Sequence, residues 1–461
     1  MSLPRALLKA IAAEAGGQVV LVIGAGTSCE PPTGLPMSRK CSTDAHAKLL
    51  ADGVLTDGEC LKPNDLSVLA ETVFKKEGSQ GTLVECLPIG RFQKARPNQG
   101  ALLAAALLRE GALGSVITLN FDLAFAHALT ELGADEDVAI VDGPKQHERL
   151  AAKNLIYLHR SVNADPEEWI LRTIALEKAW EEQWEEVMVK KVIGTPVTVF
   201  AGLGTAAGVL VAAANHLRAA VPGEAAVFLV DPGDQDESEF AASLDLEADA
   251  YIQRGWGEFV AELAQRLMVR FAAEIQDACH ELAEQEEWSD PDPDPLCGRL
   301  GELSLVELGR LRARWLLDNA PYLPDARAET KLLADLLLAV SFIEQATGAA
   351  AAFHEDGVVE FYRDGDLVIS AVFASGGGHR SWDAMEVAAG SDPFRRTRPV
   401  AAPRFAIFAA AREGRPADTS PPASFFEDTT EENIAGGEAT LEPYSVSELR
   451  ERAEIIARMA A

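Results

Sequence analysis

The sequence VVLVIGAGTS, residues 19–28, decides the fold of this chain. Its apolar first half predicts a β-strand, and a glycine-rich turn follows directly. Where a strand meets a helix, such a turn exposes backbone N–H groups that bind phosphate. A plain strand-to-helix turn is the structural alternative. The residues that we assign to phosphate binding are Gly24, Ala25, Gly26, Thr27 and Ser28.

Three further polar or glycine-rich segments each follow a predicted strand. They are residues 118–122, residues 158–159 and residues 200–204. Carboxyl ends of parallel strands share one edge of a sheet, so all of these segments could lie along one edge. Predicted strands at 19–23, 115–118, 155–158, 197–201 and 226–230 alternate with helical patterns such as 99–109 and 175–191. This alternation predicts an α/β fold with a doubly wound, Rossmann-like parallel sheet.

Composition narrows the class of protein. The chain has 461 residues and a formal net charge of −31, which disfavours non-specific binding to nucleic acid or to anionic membranes. Its six cysteines form no Cys-x-x-Cys pair, so we expect reduced thiols and a cytoplasmic location. Residues 192–217 carry no charge, yet Pro196 and Gly202 interrupt them. We predict a buried strand, a turn and a helix there, and no membrane span.

An Asp-Pro repeat marks the predicted domain boundary, because proline cannot continue a helix. We predict an N-terminal domain at 1–286, a linker at 287–297 and a C-terminal α+β domain at 298–461. The second domain is expected to contain helices at 303–317, 328–346 and 445–459, a hairpin of 358–362 with 367–373, and a strand at 403–409. We assign it a regulatory or assembly role. Its segment 375–380 is glycine-rich, but a hairpin-end loop explains it better than an anion site.

Asn120, Asp122 and His159 are the candidate catalytic residues. Asn120 and Asp122 follow one predicted strand; Asn120 suits sugar hydroxyls or an attacking water, and Asp122 could accept from a carboxamide or a hydroxyl. His159 ends another and could act as a general base near neutral pH. The structural alternatives are an Asx cap on a helix at 123–132 and a histidine without a catalytic role.

A second glycine turn and a strand-end acid complete the pattern. Gly202, Gly204 and Thr205 open another predicted helix, and Asp231 ends the strand at 226–230. We assign all four to the binding of a dinucleotide cofactor. An acid in that place can bind a ribose hydroxyl. Both segments could equally be tight turns.

In this order, the segments resemble the sirtuin-like (SIR2) superfamily over about residues 15–270. The family pattern has a Gly-Ala-Gly-x-Ser turn, a Thr-x-Asn-x-Asp segment, a motif histidine and a later Gly-x-Gly. The resemblance is greatest with bacterial sirtuin-like proteins of antiviral defence, through the sequences TGLP at 33–36 and LNFD at 119–122. No cysteine stands between Cys86 and Cys279, so the zinc module of deacylase sirtuins is missing. Arg160 stands where the family often has glycine, and we expect it to crowd the pocket.

The resemblance implies that the chain binds NAD as a substrate and cleaves its nicotinamide–ribose bond without a metal. Asn120 would orient the ribose or water, Asp122 would position the carboxamide or ribose, and His159 would be the base. Residues 24–28 would hold the pyrophosphate. Relatives of this kind imply a homo-oligomer or a partner ATPase, nuclease or sensor protein. A non-catalytic NAD or ADP-ribose sensor remains the alternative, and protein deacylation is a more distant one.

Overall fold

A computed structural model describes most of the chain, and it divides into two compact units. The described residues are 3–13, 16–134, 137–172, 184–204, 208–221, 225–316, 327–354, 357–374, 403–409 and 442–461. The first unit is Met1–Leu267 and the second is Met268–Ala461.

A seven-stranded parallel sheet forms the centre of the first unit. Its strands are β1 (Val19–Ile23), β2 (Leu113–Thr118), β3 (Ala139–Val141), β4 (Asn154–Tyr157), β5 (Val197–Ala201), β6 (Ala226–Asp231) and β7 (Tyr251–Gln253). They lie in the order β3-β4-β2-β1-β5-β6-β7. Every neighbouring pair is parallel. The prediction of a doubly wound parallel sheet is confirmed, and the five predicted strands are its five central ones.

Helices precede, connect and follow these strands. They are α1 (Arg5–Ile11), α2 (Ser38–Ala51), α3 (Leu66–Glu77), α4 (Gly81–Cys86), α5 (Ile89–Gln93), α6 (Gln99–Arg109), α7 (Ala124–Glu131), α8 (Trp184–Ile193), α9 (Gly208–Ala220), α10 (Glu239–Leu244) and α11 (Trp256–Gln285). Side chains of α8, α9 and α10 pack against the sheet in one apolar cluster that includes Val20, Val22 and Phe200. A second cluster holds α2–α5 together around buried residues such as Leu49 and Leu69. Residues 173–183, the first part of the predicted helix 175–191, lie outside the described residues.

The strand order creates a switch point in the middle of the sheet. The chain proceeds from β1 to β2 on one side and from β5 to β6 on the other. The chain segments that follow β1 and β5 therefore lead to opposite halves of the sheet, and the switch point lies at the carboxyl ends of these two strands. In open α/β sheets, ligands bind at this place.

The second unit contains a mixed sheet, which agrees with the predicted α+β class. Its strands are β8 (Ala350–Phe353), β9 (Val358–Arg363), β10 (Asp366–Ala374), β11 (Phe405–Phe408) and β12 (Glu442–Ser445). Its other helices are α12 (Asp294–Leu300), α13 (Leu305–Leu316), α14 (Arg327–Thr347), α15 (Val446–Glu451) and α16 (Ala453–Met459). The strands β8, β9 and β10 are antiparallel, whereas β10, β11 and β12 run parallel. The single predicted helix 445–459 is two helices, because Arg452 leaves the helical conformation.

The uncharged segment 192–217 folds as expected. Its described residues form the end of α8, strand β5 and most of α9. In the described part of the chain, no helix is long and apolar enough to cross a membrane. The glycine-rich segment 375–380 lies outside the described residues.

Candidate functional site

The predicted site residues follow five adjacent strands. His159 comes after β4, Asn120 and Asp122 come after β2, and the first glycine turn comes after β1. Gly202 follows β5, and Asp231 ends β6. At the usual strand spacing, five strands span about 19 Å. The segments thus form one row, with the switch point between β1 and β5 near its middle.

The first glycine turn differs from the expected start of an α-helix. Residues Ala25–Ser28 form one 3-10 turn, and the next α-helix, α2, begins only at Ser38. Two backbone bonds fix the turn against the neighbouring one, from Gly24 N to Ala201 O (3.0 Å) and from Gly26 N to Gly202 O (2.9 Å). The strand therefore ends in a short rigid turn instead of a long helix.

Close packing of the two glycine turns explains three of the glycines. A Cβ on Gly26 would lie 2.7 Å from Gly202 Cα, and a Cβ on Gly24 would lie 2.4 Å from a methyl carbon of Leu203. Gly202 has a φ of +67°, and a Cβ there would lie 2.5 Å from Thr27 N. Only glycine allows this backbone approach. The sequence suggested phosphate binding for these residues and gave no sign of their contact with each other.

We predict that Gly202→Ala lowers the free energy of unfolding by about 2–3 kcal/mol, because it adds a left-handed strain and a backbone overlap. Gly204→Ala is the matched control, since among the described residues, its chain neighbours aside, no atom lies within 4 Å of its Cβ position. Its expected effect is within about 0.5 kcal/mol. Urea unfolding of both variants measures the difference. Equal stabilities of the two variants would contradict the packing role.

A buried polar network joins the ends of β1 and β2. Ser28 Oγ donates to Asp122 Oδ2 (2.9 Å), and Asn120 Nδ2 donates to Ser28 Oγ and to Gly24 O (both 3.1 Å). Ser28, Asn120 and Asp122 are each less than 9% exposed. Buried polar groups are costly unless they are paired, so these bonds fix the three side chains relative to one another.

Asp122 also caps a helix. Its Oδ1 accepts from Ala124 N (3.0 Å) at the start of α7, as the capping interpretation predicts, while its Oδ2 belongs to the network with Ser28. Burial raises the pKa of the Asp122 carboxyl, and the hydrogen bonds from Ala124 N and Ser28 Oγ oppose that rise.

Asn98 supports the same turn, and the sequence analysis did not find it. Its Nδ2 donates to Thr27 O (2.8 Å), while its Oδ1 accepts from Ala101 N (2.9 Å) and caps α6. An asparagine just before a helical pattern is a typical N-cap, and that signal was present in the sequence.

The proline-rich segment after the turn folds back onto the unit. Leu35 N donates to Ser28 O (2.9 Å). The Glu30 carboxylate accepts from Gly257 N, with 3.0 Å to Oε2, at the start of α11. An acidic side chain is favoured at a helix N-terminus, so Glu30 anchors this segment.

His159 is partly buried and lies beside aromatic rings. The ring of Phe121 is 6.4 Å from its ring centroid and stacks on Trp169 at 4.4 Å. Burial, and after it the charge of Arg160, lower the pKa of His159 to about 4, although a hydrogen bond with the Leu119 backbone opposes the shift. His159 is therefore neutral at physiological pH and able to accept a proton.

Arg160 is buried, and its guanidinium forms an ion pair. Its NH2 group donates to Glu185 Oε1 (2.6 Å) on α8, and its NH1 group donates to Leu158 O (2.9 Å). Its φ is +74°. The expected crowding of a ligand by this residue stays a prediction.

The remaining predicted ligand residues lie at the ends of β5 and β6. Gly204 is exposed, and Thr205 lies outside the described residues. Asp231 is partly buried, and its Oδ1 accepts from Gly233 N (2.7 Å) in a tight turn. Burial, together with the negative charges of Asp231 and Asp234, raises the pKa of Tyr251 to about 12.

All six cysteines are free thiols. Across the described ranges, no group of three or more His, Cys, Asp or Glu is placed to hold a metal ion.

The lowered pKa of His159 predicts a pH dependence of stability. An ordinary histidine in the unfolded chain titrates near 6.5, so between that value and about 4 the unfolded state binds the extra proton. The free energy of unfolding should therefore fall as the pH falls from 6.5 to 4. We expect His159→Gln to lose less stability than wild type between pH 7 and pH 5 in urea unfolding. His216→Gln, at an exposed position, is the control; identical pH dependences in wild type and both variants would contradict the assignment.

Comparison with known proteins gives structural matches only. No protein-family model matches the chain, and no curated protein matches it. A solved Sir2 homologue–NAD complex matches with 17% identity and a TM-score of 0.32, over 59% of this chain and 95% of that one. A Sir2 homologue mutant with ADP-ribose matches with 17% identity and a TM-score of 0.33, over 59% and 98%. A structure of a Sir2 enzyme matches with 16% identity and a TM-score of 0.33, over 59% and 100%. Sequence identities and TM-scores this low carry no argument about function. The assignment of the fold therefore rests on the sheet topology, and any function must be argued from the residues of the site.

Proposed function

We propose that this chain is a SIR2-like NAD⁺ hydrolase that cleaves the nicotinamide–ribose bond. One observation carries the proposal. The glycine turn, the Ser28–Asn120–Asp122 network and the neutral His159 follow three adjacent strands beside the switch point of the sheet. Composition and charge add only that the chain is poorly suited to polyanionic macromolecules.

The strand order supports one direction for the bound NAD. The pyrophosphate would lie against Ala25–Ser28 at the middle of the row, where β1 ends. On one side, β5 and β6 end in Gly202 and Asp231, so the adenosine ribose would lie there. On the other side, β2 and β4 lead to Asn120 and His159, which would face the nicotinamide ribose.

The chemistry of this bond suits these residues. Nicotinamide leaves NAD⁺ as a neutral base, so the enzyme needs no general acid, and the ribose becomes an oxocarbenium-like cation. Both donor hydrogens of Asn120 are used by Gly24 and Ser28. Its Oδ1 would therefore accept from a ribose hydroxyl or from the attacking water. A weak base such as His159 suffices, because water that attacks a cation needs little activation.

We predict that Asn120→Ala and His159→Ala each reduce nicotinamide release at least about 100-fold, since each removes a group that acts on the ribose or the water. Asn163→Ala and His216→Ala, both at exposed positions, are the matched controls and should keep wild-type turnover. Nicotinamide release by chromatography measures the rates, and circular dichroism checks the fold.

Calorimetry with NAD and ADP-ribose separates the alternatives. Binding without turnover under any activating condition would replace the hydrolase with a non-catalytic sensor of NAD or ADP-ribose. No binding to the folded protein would contradict both functions. Deacylation of an acyl-lysine peptide would support the more distant alternative, protein deacylation.

Control of the activity is part of the proposal, because a hydrolase that is always active would deplete the NAD of its own cell. We assign that control to residues 298–461, acting through a homo-oligomer or a partner protein such as an ATPase, nuclease or sensor in antiviral defence. Specific activity of the full chain should then rise with protein concentration, together with oligomer content measured by mass photometry. Constant specific activity across a change of oligomeric state would contradict control by self-assembly, and added partners would be tested next.

A further inference from the structure

We infer that the buried ion pair between Arg160 and Glu185 is a positioning device for His159, which fixes the loop that presents the imidazole. The inference rests on the proposed function in one respect, namely that His159 acts in the reaction. Its structural part concerns the loop alone and needs no turnover.

The guanidinium of Arg160 bonds back across His159 to the residue that precedes it. Arg160 directly follows His159, and its NH1 group donates back to Leu158 O (2.9 Å), on the other side of the histidine. The NH2 group donates to Glu185 Oε1 (2.6 Å) on α8. One planar group therefore ties both neighbours of His159 to a helix that packs on the sheet.

Burial makes this tie persistent. The side chains of Arg160 and Glu185 are 9% and 5% exposed. A charge-assisted hydrogen bond shielded from water is strong, and opening it would leave two unpaired buried charges. The indole of Trp184 lies 5.6 Å from the guanidinium carbon and covers it further.

Local backbone geometry is specialised for the pair. Arg160 has a φ of +74°, which residues other than glycine rarely adopt, so side-chain bonds must offset the strain. Gly143 leaves space for the guanidinium, because a Cβ there would lie 2.7 Å from Arg160 Nε. Both features would be unexplained if Arg160 were an ordinary surface residue.

The other side of the loop is also held. Ser161 donates through N and Oγ to the two carboxylate oxygens of Asp142 (2.8 and 2.6 Å), and Val162 N donates to Phe121 O (2.8 Å). His159 thus lies between two anchors. Among the charged groups, Arg160 acts on His159 directly, whereas Glu185 on α8 and Asp142 after β3 bond to the residues that follow His159.

The test measures the titration of the His159 imidazole by NMR. The eight histidines are labelled with ¹³C in the full chain, and His159 is assigned through His159→Gln. In wild type, its signal should titrate near pH 4. In the double variant Arg160→Gln/Glu185→Gln, which removes both charges and leaves no lone ion, the midpoint should move toward the ordinary value of about 6.5. Amide hydrogen exchange at residues 158–162 should become faster.

Arg160→Lys separates position from charge. Lysine keeps the positive charge but has no planar fork that can bond to Leu158 O and Glu185 together. The His159 midpoint should stay low, while kcat for nicotinamide release falls between about 10- and 100-fold, with KM changed less than about twofold. This variant also keeps the test open if the double variant does not fold.

Arg299→Gln/Glu344→Gln is the matched control, because it removes an Arg–Glu pair in the second unit. It should leave the His159 titration at its wild-type midpoint. The inference is overturned if the Arg160 variants fold and keep the wild-type titration, exchange rates and kcat. A wild-type protein that never releases nicotinamide refutes the proposed function instead, whereas the titration and exchange results still decide the role of the ion pair.

Discussion

The backbone contact between the turns after β1 and β5 is the constraint on which the site depends. Gly26 N donates to Gly202 O, and no side chain fits between these two segments. The contact draws together the carboxyl ends of strands that lead to opposite halves of the sheet. The two turns at the switch point are therefore held at a fixed distance from each other, and the site residues that follow the neighbouring strands are placed relative to them.

The polar network is built outward from this contact. Gly24 O accepts from Asn120, which also donates to Ser28, and Ser28 in turn donates to Asp122. A shift of the first turn would therefore move every member of the network. The chain secures that turn further through Asn98, whose amide donates to Thr27 O. The polar side chains of this site stabilise its structure through these hydrogen bonds. Their proposed chemistry uses the polar atoms that the hydrogen bonds leave available, such as Asn120 Oδ1.

Much of the sheet could be predicted from the sequence, since a short apolar run followed by a turn signal, such as residues 19–23 before Gly24, is typical of a buried strand. The strands β3 and β7 have only three residues each, too few to show a period. The row of strand-end residues followed from strand polarity alone. The pairing of Ser28 with Asp122, the contact of Gly26 with Gly202 and the ion pair of Arg160 depend on register and side-chain direction. Sequence spacing shows neither register nor side-chain direction. In particular, nothing in the sequence indicates that Arg160 has a left-handed backbone conformation or that it pairs with Glu185.

The network also has a consequence for how the protein is made. The bond from Ser28 to Asp122 spans 94 residues, and the bond from Asn120 to Gly24 spans 96. Contacts of such high sequence separation form late, because a long loop must close before they contribute. The turn after β1 further needs Gly202, which leaves the ribosome long after Gly26. A nascent or partly folded chain therefore has neither the packed glycine turns nor the polar network. The site forms only when the central sheet is complete.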